Sequence, residues 1–154
     1  MKWSSILRSR KPNVVNAKIC RECGGCCCNL LPGACHPEDF KEPLLDSLVA
    51  AFKTGKFAID WYEEDDFGYY IRPATKQGEL LRDPSWGGVC IFLNNDKCEL
   101  APGMRPHGCR NLIPTAGDRL CKREVDPHLS DKEAAAIAWR LFHEIIFEAE
   151  RLVT

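Results

Sequence analysis

The chain has 154 residues, 45% of them hydrophobic and 28% charged, which suits a soluble fold with one core. Lys plus Arg number 21 and Asp plus Glu 22, so the net charge of −1 gives no general attraction to nucleic acid or to an anionic membrane. No apolar run approaches the ~20 residues of a membrane-spanning helix.

Residues 1–16 read as an irregular, polar leader carrying the short basic run Arg8-Ser9-Arg10-Lys11. They hold no apolar signal core and no small-residue cleavage site, so a cytoplasmic protein is expected. Residues 17–154 read as one domain. Its first segment, 17–37, carries six cysteines, with Gly24, Gly25 and Gly33 letting the backbone wrap closely around something small.

Leu44, Leu45, Leu48, Val49 and Phe52 recur at helical spacing and predict a helix from Pro43 to about Lys53, stopped by Gly55. The stretches FAIDWYEE (57–64) and FGYYIRP (67–73) are rich in aromatic and β-branched residues and predict a hairpin. The acidic run Glu63–Asp66 between them reads as its solvated turn. Trp61, Tyr62, Tyr69 and Tyr70 are expected to build core beside the cysteine region. Residues 73–88 are loop-like, VCIFL (89–93) is a short apolar strand, and NND (94–96) is a turn. Prolines and glycines break up 101–118.

A long final helix is predicted from Asp131 to about Leu152. Ser130 and Glu133 form a capping-box signature, and Ala138, Leu141, Phe142, Ile145, Ala149 and Leu152 make a core-facing stripe that Trp139, Ile146 and Phe147 widen. The fold class expected is α+β: a small single domain with few short strands, a loop-rich cysteine region and a long C-terminal helix.

The cysteines carry the chemistry. Ten thiols in a reducing compartment point to metal or redox chemistry rather than to a disulfide framework. Cys20, Cys23 and Cys26 are spaced three apart, and a tight loop at that spacing turns several sulfurs inward, as in zinc and iron–sulfur sites. Cys27 follows Cys26 directly. Neighbouring side chains diverge, so these two serve adjacent metals, or one is a ligand and the other packs. A bacterial ferredoxin pattern would place cysteine at position 30 and proline at 31, where this chain has Leu30 and Leu31.

A second set follows in residues 90–114. Cys90 and Cys98 flank a turn, as a metal knuckle would place them, and Cys109 comes later. With Cys121 these thiols bring the expected ligands to eight: Cys20, Cys23, Cys26, Cys27, Cys90, Cys98, Cys109 and Cys121. Cys28 and Cys35 are left as surplus. A divalent ion with four thiolates carries a charge of about −2, which needs nearby cations. Arg105 and Arg110 flank Cys109 and are the expected outer partners of the sulfurs or of nearby carboxylates.

The motifs Cys20-x-x-Cys23-x-x-Cys26-Cys27, Cys90-Ile91-Phe92-Leu93, Cys98 within DKCEL, Arg105-Pro106-x-x-Cys109-Arg110 and Pro114 span about three-fifths of the chain. In this order they resemble the CxxCxxCC cysteine-cluster family, also called YkgJ-like and described as zinc- or iron-chelating proteins. The chain departs from that pattern in carrying Leu100-Ala101 where the family often has an aromatic residue. The resemblance implies a metal-binding cysteine cluster and says little about a substrate.

Zinc is the first expectation and a [4Fe–4S] cluster the second, because thiolates suit both. An enzyme, enzyme partner or electron-transfer protein with an open metal position is the alternative. A metal ion is the one partner expected, nucleic acid and membrane are not, and a protein partner stays open. His36 follows Cys35 and is read as packing or surface, since thiols are already in surplus, with metal ligation as its functional alternative. His107 is read as a structural residue, with hydrogen bonding to a thiolate or proton transfer as its functional alternative. His128 and His143 are read as surface residues.

Overall fold

The computed structural model describes residues 2–10, 32–66, 68–83, 87–95, 97–110 and 130–154. The expectations for Cys20, Cys23, Cys26, Cys27, Cys28, Cys121, Pro114 and His128 lie outside these residues.

Among the described residues the architecture is α+β, with two small antiparallel sheets, short helices and a long helical C-terminus. The first helix, α1, is Leu44–Lys53. It buries Leu48, Ala51 and Phe52 and ends where Gly55, at φ +72°, donates its N–H to the Phe52 carbonyl.

Strands β1 (Phe57–Trp61) and β2 (Tyr69–Pro73) pair antiparallel, with Ile59 opposite Ile71 and Asp60 opposite Tyr70. This is the hairpin expected from the sequence, with each strand shorter than its apolar run. Segment 81–83 borders the other edge of β1: Ile59 N donates to Leu81 O, and Asp83 N donates to Ile59 O. Of the four aromatic residues expected in the core here, Tyr70 is fully buried, while Trp61, Tyr62 and Tyr69 are half-buried.

The expected strand over 89–93 is mostly loop. Cys90 makes a single bridge to Thr75, and only β3 (Leu93–Asn94) pairs, with β4 (Lys97–Cys98). The run is apolar because it plugs the core, where Phe92 is fully buried, not because it extends a sheet. In the described part of the breaker-rich stretch, Pro102–Met104 form a 3-10 turn and one α-helical turn, α2, forms at His107–Arg110.

The C-terminal helix runs as α3 (Asp131–Trp139), one 3-10 turn over Arg140–Phe142, and α4 (His143–Val153). The Ser130 hydroxyl caps it by accepting from Glu133 N at 3.2 Å. The buried face is the edge of the expected stripe that Trp139 and Ile146 widen, with Leu141 and Leu152 left outside it. Ala135, Trp139, Ile146 and Ala149 are buried, Phe142 is half-buried, and Leu141 is 91% exposed. Two causes shift the face. The 3-10 turn changes the helix phase at Leu141. The Trp139 indole, whose N–H donates to the Cys35 carbonyl at 2.8 Å, selects which side faces inward.

One aromatic cluster ties these pieces together. Phe57 meets Trp3, Phe40 and Phe92 at centroid distances of 6.0, 5.7 and 5.6 Å, and Phe40 meets Trp139 at 6.1 Å. Inside the segment read as a leader, Trp3–Ser5 form a 3-10 turn, and Ile6 and Leu7 are core residues, Leu7 bridging to Phe40. Their burial is tertiary. Charged neighbours in sequence mask two apolar side chains that find partners only across the fold.

Arg72 on β2 is fully buried. Its guanidinium donates to Asp60 Oδ2 at 2.9 Å, to the Pro73 carbonyl at 3.0 Å and to the Asp83 carbonyl at 3.1 Å, and it lies 3.2 Å from Asp83 Oδ2. Tyr70 also donates to Asp60 Oδ2, at 3.1 Å. Burial opposes the charge on Arg72, but the bonds and charge of Asp60 outweigh it and hold the pKa above its ordinary value. Among the described residues no helix is long and apolar enough to cross a membrane.

Candidate metal centre

Residues 32–36 are buried as a strap between β2, α2 and the start of α3. Cys35 N donates to the Ile71 carbonyl at 2.8 Å, and the Cys35 carbonyl accepts the Trp139 indole N–H. Ala34 N donates to Asp131 Oδ2 at 2.8 Å, and Gly108 N donates to the Ala34 carbonyl at 2.9 Å. The strap therefore joins the segment after the first cysteine motif to the helical turn that bears Cys109.

The contact is close. A Cβ on Gly33 would lie 2.6 Å from both the backbone N and the Sγ of Cys109, so only glycine fits against that sulfur. A Cβ on Gly108 would likewise run into the Asp131 carboxylate. On the other side of the centre, Arg10 N donates to the Gly103 carbonyl at 2.8 Å. Arg10 and Gly33, which bracket residues 11–32, thus both lie against segment 103–109.

Cys35 is only 1% exposed. Burial raises its pKa well above the ordinary thiol value, and the charges of Asp39, Cys109, Asp131 and Cys90 raise it further. This is a thiol in the absence of a cation, and coordination to a metal would deprotonate it. Of the expected ligands, the structure brings Cys90 and Cys109 into the electrostatic surroundings of Cys35. It places Cys98 on β4 opposite Leu93, half-buried. No disulfide joins any two of the described cysteines. The thiol chemistry and the glycine cradle at Cys109 fit a thiophilic metal ion or cluster.

The two arginines act at one remove. Arg110 donates from its guanidinium to Asp39 Oδ1 and, through Nε, to the Arg105 carbonyl at 2.8 Å. Arg105 Nε donates to the Leu100 carbonyl at 3.3 Å. Asp39 is the hub: its Oδ2 accepts both His36 N, at 2.8 Å, and His107 N, at 2.9 Å. One carboxylate pins two histidine backbones that are 71 residues apart in the chain.

The histidine rings consequently stack, with centroids 3.8 Å apart and an interplanar angle of 14°. Burial, then the charge of His107, lowers the His36 pKa to about 4; Glu38 opposes this and Arg110 adds to it. Burial is also the main cause that lowers His107, against Asp39. Both rings are thereby held toward the neutral form, which is the form that binds metal.

Two parts of this centre stand out against the sequence reading. Cys35 is surplus by count, yet it is the buried thiol on which Cys90 and Cys109 bear. His36, expected as packing or surface with ligation as its alternative, meets His107 face to face. The signal for Cys35 and His36 is their adjacency to the first motif. Nothing in the sequence links them to His107. His143, expected at the surface, stands half-buried and edge-on to Tyr69 at 5.7 Å. Comparison with family models, curated proteins and solved structures gives no match to the chain.

Proposed function

We propose that the chain is a metal-binding protein of the CxxCxxCC (YkgJ-like) kind. Cys20, Cys23, Cys26 and Cys27, with Cys90, Cys98, Cys109 and Cys121, would hold zinc, or a [4Fe–4S] cluster in its place. The observation that carries this reading is the placement of Arg10 and Gly33, the residues bracketing the first motif, against the segment that bears Cys109. Closing a loop at both ends in this way lowers the entropy cost of bringing distant sulfurs to one ion.

Cys35, beside Cys90 and Cys109, joins the candidates as a further thiol. Asp39 and Arg110 orient the segment and balance charge next to it. Bound zinc would cross-link the two cysteine segments, and an iron–sulfur cluster would add electron transfer. Small cysteine sites bind zinc with ~10–16 kcal/mol, comparable to the ~5–15 kcal/mol stability of a whole domain. Metal loss should therefore loosen the cysteine region. A reducing, cytoplasmic compartment belongs to this reading because it keeps the thiols available.

The test is anaerobic purification followed by metal analysis and an absorption spectrum. A colourless protein containing zinc selects a closed thiolate site, and a brown protein with broad visible absorption selects iron–sulfur. Cys90→Ala and Cys109→Ala should each lower metal content and melting temperature. Unchanged metal content in both variants rejects the assignment. An open coordination position occupied by water would favour the alternative of an enzyme or electron-transfer partner.

A further inference from the structure

We propose that Arg8, Arg10 and Lys41 form a site for a doubly charged phosphoryl group, either free phosphate or the phosphate of a small soluble ester. The inference goes beyond the cysteine reading and does not depend on it.

The three cations come from two segments that the fold joins. Leu7 bridges to Phe40, and both side chains are buried. On either side of that bridge Arg8 N donates to the Asp39 carbonyl at 2.8 Å, and Lys41 N donates to the Ile6 carbonyl at 2.9 Å. Arg8 and Lys41 are therefore diagonal neighbours on paired backbone, near enough for two long side chains to reach one anion. Arg10 is tied separately. Its backbone N–H donates to the Gly103 carbonyl at 2.8 Å, and its guanidinium donates to the Glu38 carbonyl at 3.0 Å. The basic run expected in a polar leader is thus anchored to the folded body.

These residues line one surface cavity of about 590 Å³, together with Ser9 and Glu42. Among the described residues, no carboxylate lies within ion-pair distance of Arg8, Arg10 or Lys41. By contrast, Arg72, Arg82, Arg110, Arg140 and Arg151 each meet one. Like charges around one concavity repel one another, and an anion between them is attracted by all three.

The charge fixes the class of ligand. Three cations against the single carboxylate of Glu42 leave two positive charges over. A phosphomonoester carries about −1.5 to −2 at pH 7, whereas a simple carboxylate carries one charge. Guanidinium groups present paired N–H donors that match phosphate oxygens, and the Ser9 hydroxyl adds another donor. The cavity falls within the ~300–1,000 Å³ of small-molecule sites, so it has room for more than the phosphoryl group. Three cations beside a carboxylate, on a chain of net charge −1, are too few for an extended polyanion such as nucleic acid or a membrane surface.

The test is calorimetric titration of the reduced full-length chain, as purified and at low ionic strength, with phenyl phosphate and with inorganic phosphate. Acetate and phosphatidylserine vesicles are run in parallel. Both phosphates should bind one to one and compete with each other, and acetate should displace neither. Tighter binding of phenyl phosphate selects an ester as the source, and tighter binding of inorganic phosphate selects the free ion. Arg8→Gln and Lys41→Gln, both at exposed positions, should each weaken binding about fivefold, and the double variant should lose it. Glu42→Gln removes the opposing charge and should tighten binding, a gain that a damaged fold does not produce. Metal content and thiol reactivity should stay at wild-type levels in all these variants, which separates this site from the cysteine reading. The inference is overturned if neither phosphate binds the wild-type chain at millimolar concentration. It is equally overturned if the double variant binds as wild type does, since the anion then sits elsewhere, for example on a metal. Binding to the vesicles with no binding of either soluble phosphate also overturns it, in favour of a membrane surface.

Discussion

Among the described residues, two buried polar centres are made of opposite materials. The centre around Arg72 carries its own cation. One guanidinium meets the carboxylates of Asp60 and Asp83 and two backbone carbonyls, and Tyr70 completes the bonds to Asp60. The centre around Cys35 and His36 is built from sulfur and imidazole nitrogen, which are lone-pair donors. A few backbone bonds and one arginine, Arg110, hold it together through Asp39. The first arrangement satisfies itself and does structural work. The second collects the atom types that bind soft and borderline metals. Burial alone would not have separated them; the chemistry of the donors does.

The largest expected effect lies in the self-sufficient centre. Arg72→Met leaves two buried carboxylates without their cation and should cost about 3–5 kcal/mol in urea unfolding, with metal content unchanged in whatever folds. A loss below about 1 kcal/mol would mean that Asp60 and Asp83 do not need the arginine, and the contrast between the centres would weaken.

The metal-type centre should reveal itself in mild acid when metals are chelated. His36 titrates near 4 in the fold and near its ordinary 6.5 when unfolded. Between those values the unfolded chain binds more protons, so stability rises with pH across this window. Lowering the pH from about 6.5 through about 4 should therefore remove up to about 3 kcal/mol, and the loss should be complete below that range. Burial sets the window first, then the charge of His107, with Glu38 opposing and Arg110 adding. In His36→Gln this component of the pH dependence should vanish. A profile identical to wild type would show that His36 is not the group responsible.

A smaller effect is expected from Gly33→Ala. The new methyl would meet Cys109 N and Sγ at 2.6 Å, closer than real Cβ contacts allow. Overpacking of this kind costs about 1–3 kcal/mol. If Cys109 ligates metal, the variant should also lose metal, whereas Arg72→Met should not. Gly33→Ala with full stability and full metal content would show that the strap and the Cys109 turn are not tightly apposed.

Much of the secondary structure was legible along the chain because it depends on local rules. The helix at Leu44–Lys53 with its Gly55 stop, the 57–73 hairpin and the Ser130 cap all follow from spacing, turn chemistry and capping. The apolar run at 89–93 misled because a short hydrophobic stretch can plug a core as readily as it can extend a sheet. The helix stripe read from spacing is too broad, Trp139, Ile146 and Ala149 being buried and Leu141 and Leu152 not, because local periodicity does not say which edge of a wide stripe a partner will cover.

The sequence by itself determined that this is a small α+β chain dense in thiols, since composition and motif spacing are properties of the chain alone. Only the tertiary structure decided that Arg72 would be buried between two carboxylates, that Cys35 would stand with Cys90 and Cys109, and that His36 would stack on His107. Each of those meetings joins residues from different elements. A carboxylate such as Asp39 can bring two distant backbones together only once the fold has delivered both to its oxygen atoms.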